Sequence, residues 1–341
     1  MRAGLTILWD TIQLLRARML FWVVMWVTVA IAVVYASLSI DEEGLSLFFG
    51  LWKPEFGSLS LGEPLGAVFY LLIFSDVIAL HWLGFAVVAL ALIASCSVFP
   101  EMMREGAIET LLSKPVTRVK LFLVKFLGLL AFTAIPLTVF CLIVFFALGV
   151  RVGVWKAEIF FAVPILTLVF GILYSFAVMV GVISRSTLFA LFATFLLWGG
   201  LFLVHLIETG FYRAVVLLPN AGIEMSMEPG AMPELHEESL PVNEGLKGLY
   251  DGFRGGTAFL PKPRKVTLLL RRVMVFDDEL GDFAGLNLIA ILMGNTGQSL
   301  ERQAIAEADK RMGFGEVLYP SIGFTLICLG VGGFVFVRRD Y

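Results

Sequence analysis

The chain has 341 residues, of which 59% are hydrophobic and 16% charged, with a mean hydropathy of +0.91 and a formal net charge of −3. A soluble domain carries roughly 25% charged residues, so this composition excludes a water-exposed globular enzyme, and the near-neutral charge excludes a nucleic-acid partner. The expectation is an all-α integral membrane protein.

Residues 1–18 begin with an amphipathic pattern in which Leu5, Leu8, Trp9, Ile12 and Leu15 recur at helical spacing, among Asp10, Gln13, Arg16 and Arg18. Such a helix lies at the cytoplasmic interface with Trp9 at headgroup depth, or simply extends the first span. A span needs about 20 mainly apolar residues. Suitable runs are Met19–Ile40, Gly66–Phe99, Leu121–Val150, Ile159–Ile183, Thr187–Leu206 and Val317–Val337. Cutting the long second run in two leaves halves too short to cross, so the count is six. Pro136 is a candidate kink in the third. The first run is too long for a cleaved leader and is read as a retained span.

Basic residues in short loops set orientation. With the N-terminus inside, Arg2, Arg16, Arg18, Arg104, Lys114, Arg118, Lys120, Lys125, Arg185, Arg338 and Arg339 face the cytoplasm. Only Lys53, Arg151 and Lys156 occupy short outer loops. Both termini are then cytoplasmic, in the cell's inner (plasma) membrane. The expected organisation is an interfacial helix over 1–18, spans one to five over 19–207 with a connecting segment at 100–120, an extracytoplasmic loop or small domain over 208–316, and the sixth span with a cytoplasmic tail over 317–341.

The loop at 208–316 carries Pro219, Pro229, Pro233, Pro241, Pro261 and Pro263 in its first half, which predicts mostly irregular chain. Lys265–Phe276 has an extended character from Val266, Thr267, Val273 and Val275, and Gln298–Arg311 reads as a polar helix. A small folded domain and a flexible spacer both fit. Polar groups in or beside spans are few. Asp76 and His81 are five apart and so point to different sides of an α-helix. His205 and Glu208 end the fifth span and are expected in solvent, while Lys125 anchors the third span by reaching to the interface.

Phe99 to Gly128 reads F-P-E-M-M-R-E-G-A-I-E-T-L-L-S-K-P-V-T-R-V-K-L-F-L-V-K-F-L-G. Ala107–Ser113 lacks breakers and sets Ile108, Leu111 and Leu112 along one side, with Glu105 and Glu109 near the positive end of the helix dipole. Pro115 removes an amide donor and ends the helix. A short cytoplasmic helix with an apolar ridge suits docking in a partner's groove; the alternative is a basic loop that only fixes topology.

The segment resembles the coupling region of type-2 ABC transporter permeases, E-x-G-T-x-E-x-L-L-S-x-P-x-S/T-R followed by a lysine entering the third span. The match runs through Glu105, Gly106, Glu109, Leu111, Leu112, Ser113, Pro115, Thr117, Arg118 and Lys125, with Ala107 where the family often has Thr. Leu217-Leu218-Pro219-Asn220, Phe336-Val337-Arg338-Arg339-Asp340 and the six-span layout are similar as well. The resemblance covers most of 1–220 and 315–341; nothing in Ala221 to Phe314 carries over. It implies a permease subunit, most readily of an exporter, that pairs with a second copy or a related permease. It also implies that Glu105, Gly106, Glu109, Leu111, Leu112, Ser113, Pro115 and Arg118 meet an ABC ATP-binding subunit.

No G-x-x-x-x-G-K-[ST] occurs, so ATP and Mg are expected in that partner and no catalytic or cofactor role in this chain. No H-E-x-x-H occurs, His81, His205 and His236 are scattered, and Cys96, Cys141 and Cys328 lie far apart in spans, against a metal site or a disulfide framework. The rival readings are an ATP-independent secondary transporter and a membrane assembly or anchoring subunit working through its external loop.

Overall fold

The computed structural model describes residues 19–41, 44–46, 70–103, 117–151, 153–212, 244–273 and 313–338. Eight helices are found there. They are α1 (Met19–Ser37), α2 (Tyr70–Met102), α3 (Arg118–Arg151), α4 (Ala162–Ser184, entered through a 3-10 turn at Ala157–Phe161), α5 (Thr187–Tyr212), α6 (Glu244–Gly256), α7 (Pro263–Val273) and α8 (Phe314–Arg338). Two three-residue strands, β1 (Ser39–Asp41) and β2 (Gly44–Ser46), form a small antiparallel hairpin after α1, pairing Ser39 with Ser46. The described residues are otherwise helical apart from short connections.

Among the described residues, α2, α3, the helix from Ala157 to Ser184, α5 and α8 are long and apolar enough to cross a membrane. α1 is the shortest of the apolar helices, ending at Ser37 where the chain turns into β1. Neighbouring helices alternate in direction. Phe21 of α1 packs on Phe132 of α3, with ring centroids 4.5 Å apart. At the other end of α1, Tyr35 stacks on Tyr70 of α2 and each hydroxyl donates to the other residue's carbonyl, at 3.3 and 3.2 Å. α3 runs unbroken through Pro136.

Helix α4 is the centre of the bundle: α2, α3, α5, α7 and α8 all pack on it. Its Leu166, Phe170, Ile172, Leu173 and Val182 are fully buried, and Gly171, Ser175, Ala177 and Gly181 let neighbours approach. In lipid, helices gain little from hiding apolar surface, so close van der Waals packing through small residues holds them together. Gly332 of α8 shows this: a Cβ there would stand 3.2 Å from the backbone Cα of Met179. By contrast α5 and α8 leave Leu188, Phe192, Leu196, Tyr319, Leu326 and Ile327 exposed.

In α2 the stretch Ile73–Val87 is wound as a π-helix. Such winding is usually confined to a single turn, and its i→i+5 bonding sets positions five apart about one turn above each other. His81 is exposed, while the side chain of Asp76 lies outside the described ones.

The region after α5 departs most from expectation. The run expected to be irregular contains α6, and the extended reading of Lys265–Phe276 fails where it is described: Pro263–Val273 is α-helical. Val266, Leu269, Leu270 and Val273 lie at i, i+3, i+4 and i+7, a stripe that outweighs the β preference of Val and Thr. Pro263 suits the first helical position, where its missing N–H costs nothing. The stripe is not on a surface. Val266 and Leu270 are completely buried, and α7 lodges between the π stretch of α2 and helices α4, α5 and α8. The interfacial segment 1–18 and the helix expected at Gln298–Arg311 lie outside the described residues.

Candidate functional site

Two places bear on function, at opposite ends of the bundle. At the first, α2 ends and α3 begins, flanking the segment that carries the motif from Glu105 to Arg118. Glu105, Gly106, Glu109, Leu111, Leu112, Ser113 and Pro115 lie outside the described residues. The flanks are described, and they are embedded. Phe99, Met102 and Met103 are buried, Phe99 meets Phe122 edge-on at 5.2 Å, and Phe122 packs on Phe336 of α8 at 5.7 Å. Phe126, Tyr174 and Phe170 continue the aromatic layer, and the Tyr174 hydroxyl donates to the Ser95 carbonyl at 3.2 Å. Through these rings the described flanks of the connecting segment pack on both α4 and α8.

Arg118, assigned from the motif to the partner contact, makes an internal contact. Its Nη1 donates to the Val337 carbonyl at 3.1 Å, placing a cation on the negative C-terminal end of α8. Arg338 follows the same logic from within α8, resting over the Phe334 ring at 4.4 Å. Lys125 is covered by protein on α3, 5% exposed.

The second place is a polar cluster where α5 ends and α7 and α8 begin. Glu208 was expected in solvent. Instead its side chain is 13% exposed and accepts a 2.6 Å hydrogen bond from Lys265 Nζ, itself 9% exposed. A pair so enclosed is costly to desolvate and is stable only with good geometry; losing either partner leaves an isolated charge. The backbone N–H of Lys262 donates to Ser321 Oγ of α8 at 3.1 Å, and Ser321 in turn donates to the Val317 carbonyl. One helix turn away, Thr267 fills the space over Gly84 of α2, where a Cβ would come within 2.5 Å of Thr267 Cγ2. Charge, hydroxyl and shape together lock α7 to three spans.

These contacts enclose a cleft lined by Leu201, Val204, His205 and Glu208 of α5 and by the chain from Thr257 to Lys265. Burial, with Lys265 and Arg254 close by, holds the Lys262 amine below its ordinary value, against a smaller upward pull from Glu208 and Glu316. Burial also lowers the Arg264 guanidinium. Sequence reasoning missed Lys262, Arg264 and Lys265 altogether. The local signal was the helical stripe beginning at Val266.

Apolar helices crossing back and forth around a buried α4, with charge confined to their ends, define a multi-pass α-helical membrane protein. Residues 73–222 match the family model described as ABC-2 family transporter protein. This stretch belongs to the type-2 ABC transporter permease family, and it contains the whole motif from Glu105 to Arg118 as well as α3, α4 and α5. No curated protein and no solved structure matches the chain.

Proposed function

We propose that this chain is the permease subunit of an ATP-driven exporter, working with a separate ABC ATP-binding subunit that holds ATP and Mg. The observation that carries the reading is the docking motif from Glu105 to Arg118 inside the stretch that matches the permease family. Two permeases, identical or related, pair in the plasma membrane. The bundle end with Arg118, Lys120, Arg185 and Arg338 faces the cytoplasm, as do both termini. The ridge of Ile108, Leu111 and Leu112 and the carboxylates Glu105 and Glu109 seat on the ATPase. Nucleotide-driven closure then moves the segment as a lever, provided the contacts differ in energy between nucleotide states. The embedded flanks and the Arg118 bond to α8 favour transmission into α4 and α8 rather than local yielding. The chain itself supplies no catalytic residue and needs no cofactor.

The test is affinity purification of the tagged chain in mild detergent, wild type against Glu109→Lys with Leu112→Asp. Co-purification of a P-loop ATPase with wild type, lost in the double variant, is the expected result. A well-folded wild-type chain with no ATPase attached sinks the proposal. The rival ATP-independent transporter draws support from α7, a short charged helix lodged among spans, since interrupted helices often build ion-coupled sites. In that case transport in proteoliposomes follows an ion gradient without ATP.

A further inference from the structure

The cluster where α5, α7 and α8 meet has unequal charges. Four cations gather there: Arg254, Lys262, Arg264 and Lys265. Two described carboxylates face them, and both are occupied: Glu208 by Lys265, and Glu316 by Arg254 at 3.4 Å. Lys262 and Arg264 are half-buried, and among the described residues no carboxylate or carbonyl is bonded to either side chain. His205, on the wall of the same cleft, has a buried Nδ1 with no hydrogen-bond partner among the described residues. Half-buried guanidinium and ammonium groups without a counter-ion are costly, and unpaired polar groups in native structures call for an explanation.

The surroundings give the chemical class. Leu201, Val204, His205 and Glu208 present one face of α5 to the cleft, while the adjoining Phe202, Leu203, Leu206 and Ile207 are exposed and apolar. Phe259 stands exposed on the connection between α6 and α7. A basic recess thus opens beside a wall suited to alkyl chains at the end of the membrane bundle. Arg264 offers planar paired donors and Lys262 a compact charge, the two kinds of group that hold phosphate.

We propose that this cleft binds a phosphoryl anion between Lys262 and Arg264, the source favoured by its apolar wall being the headgroup of an anionic phospholipid. His205 adds a hydrogen bond, and the Glu208–Lys265 pair keeps the floor of the cleft in place. The inference concerns this cleft alone and stands whether or not an ATPase partner is found.

The experiment uses the purified full chain in neutral detergent, titrated separately with dioctanoyl phosphatidic acid, dioctanoyl phosphatidylcholine and inorganic phosphate, and followed by tryptophan fluorescence. Saturable binding of phosphatidic acid is expected, weakened about tenfold or more in Lys262→Gln with Arg264→Gln, since charge-assisted hydrogen bonds are lost. The single variant Arg264→Gln covers the case in which the double variant fails to fold, with a loss of about fivefold expected from one such bond. Lys120→Gln, an exposed residue at the opposite end of the bundle, leaves affinity unchanged. Weak binding of inorganic phosphate assigns the site to a lipid; equal binding, lost in the same variants, upholds the phosphoryl site with a soluble source. The proposal falls if phosphatidylcholine binds as tightly as phosphatidic acid, if neither anion binds, or if the variants bind like wild type.

Discussion

The two ends of the bundle are built on opposite principles. Around Phe99, Phe122, Tyr174 and Phe336 the helices meet largely through stacked rings and small residues, with the Tyr174 hydroxyl, the Arg118 guanidinium and the buried Lys125 among them. Around Glu208, Lys265 and Ser321 they meet through an enclosed ion pair and directed hydrogen bonds. A ring layer tolerates sliding only as a unit. An ion pair is all-or-none, because separating the charges exposes both to a poorly solvating environment, and it suits an end that must hold one short helix in a single position.

The sharpest way to break the polar end is Glu208→Ala, which strands Lys265; a loss of about 3–5 kcal/mol is expected. Thermal unfolding in detergent reads it. Glu208→Leu with Lys265→Met, which removes both charges, returns to within about 1 kcal/mol of wild type if the pair serves only to hold α7. At the ring-stacked end Phe336→Ala leaves a cavity against Phe122, costing about 3 kcal/mol, and no second-site charge change restores it. Gly84→Val drives a branched side chain into Thr267 and costs about 1–3 kcal/mol; Thr267→Ala recovers part of this, which a double-mutant cycle measures. Arg118→Gln weakens the cap on α8 by about 1 kcal/mol and frays its last turn, seen as faster amide exchange near Val337. The smallest effect is at the exposed Arg254–Glu316 pair, where Arg254→Gln changes stability by less than about 0.5 kcal/mol.

Several readings from sequence fail for one shared reason. Lys125 and Glu208 were placed by the ordinary habits of charged residues near a membrane, reaching to water or lying in it. Both are enclosed, because a neighbouring segment covers them. For Glu208 that segment is α7, more than fifty residues further along the chain, so no local pattern around Glu208 announces it. Arg118 shows a related limit: its motif says which family it belongs to, whereas its contact is with a carbonyl more than two hundred residues away.

Membrane residence, the helical class and the location of the apolar helices were legible from sequence because they follow from a local demand: each segment in hydrocarbon must satisfy its own backbone and bury few charges. The family was legible because a short run of residues between Glu105 and Arg118 has the permeases' spacing. What only the tertiary structure decided was how the helices assort, with α4 at the centre, and that α7 is drawn among the spans to meet Glu208, Gly84 and Ser321. The physical reason is that packing and ion pairing join residues by distance in space, and a chain written in order carries no distance between its remote parts.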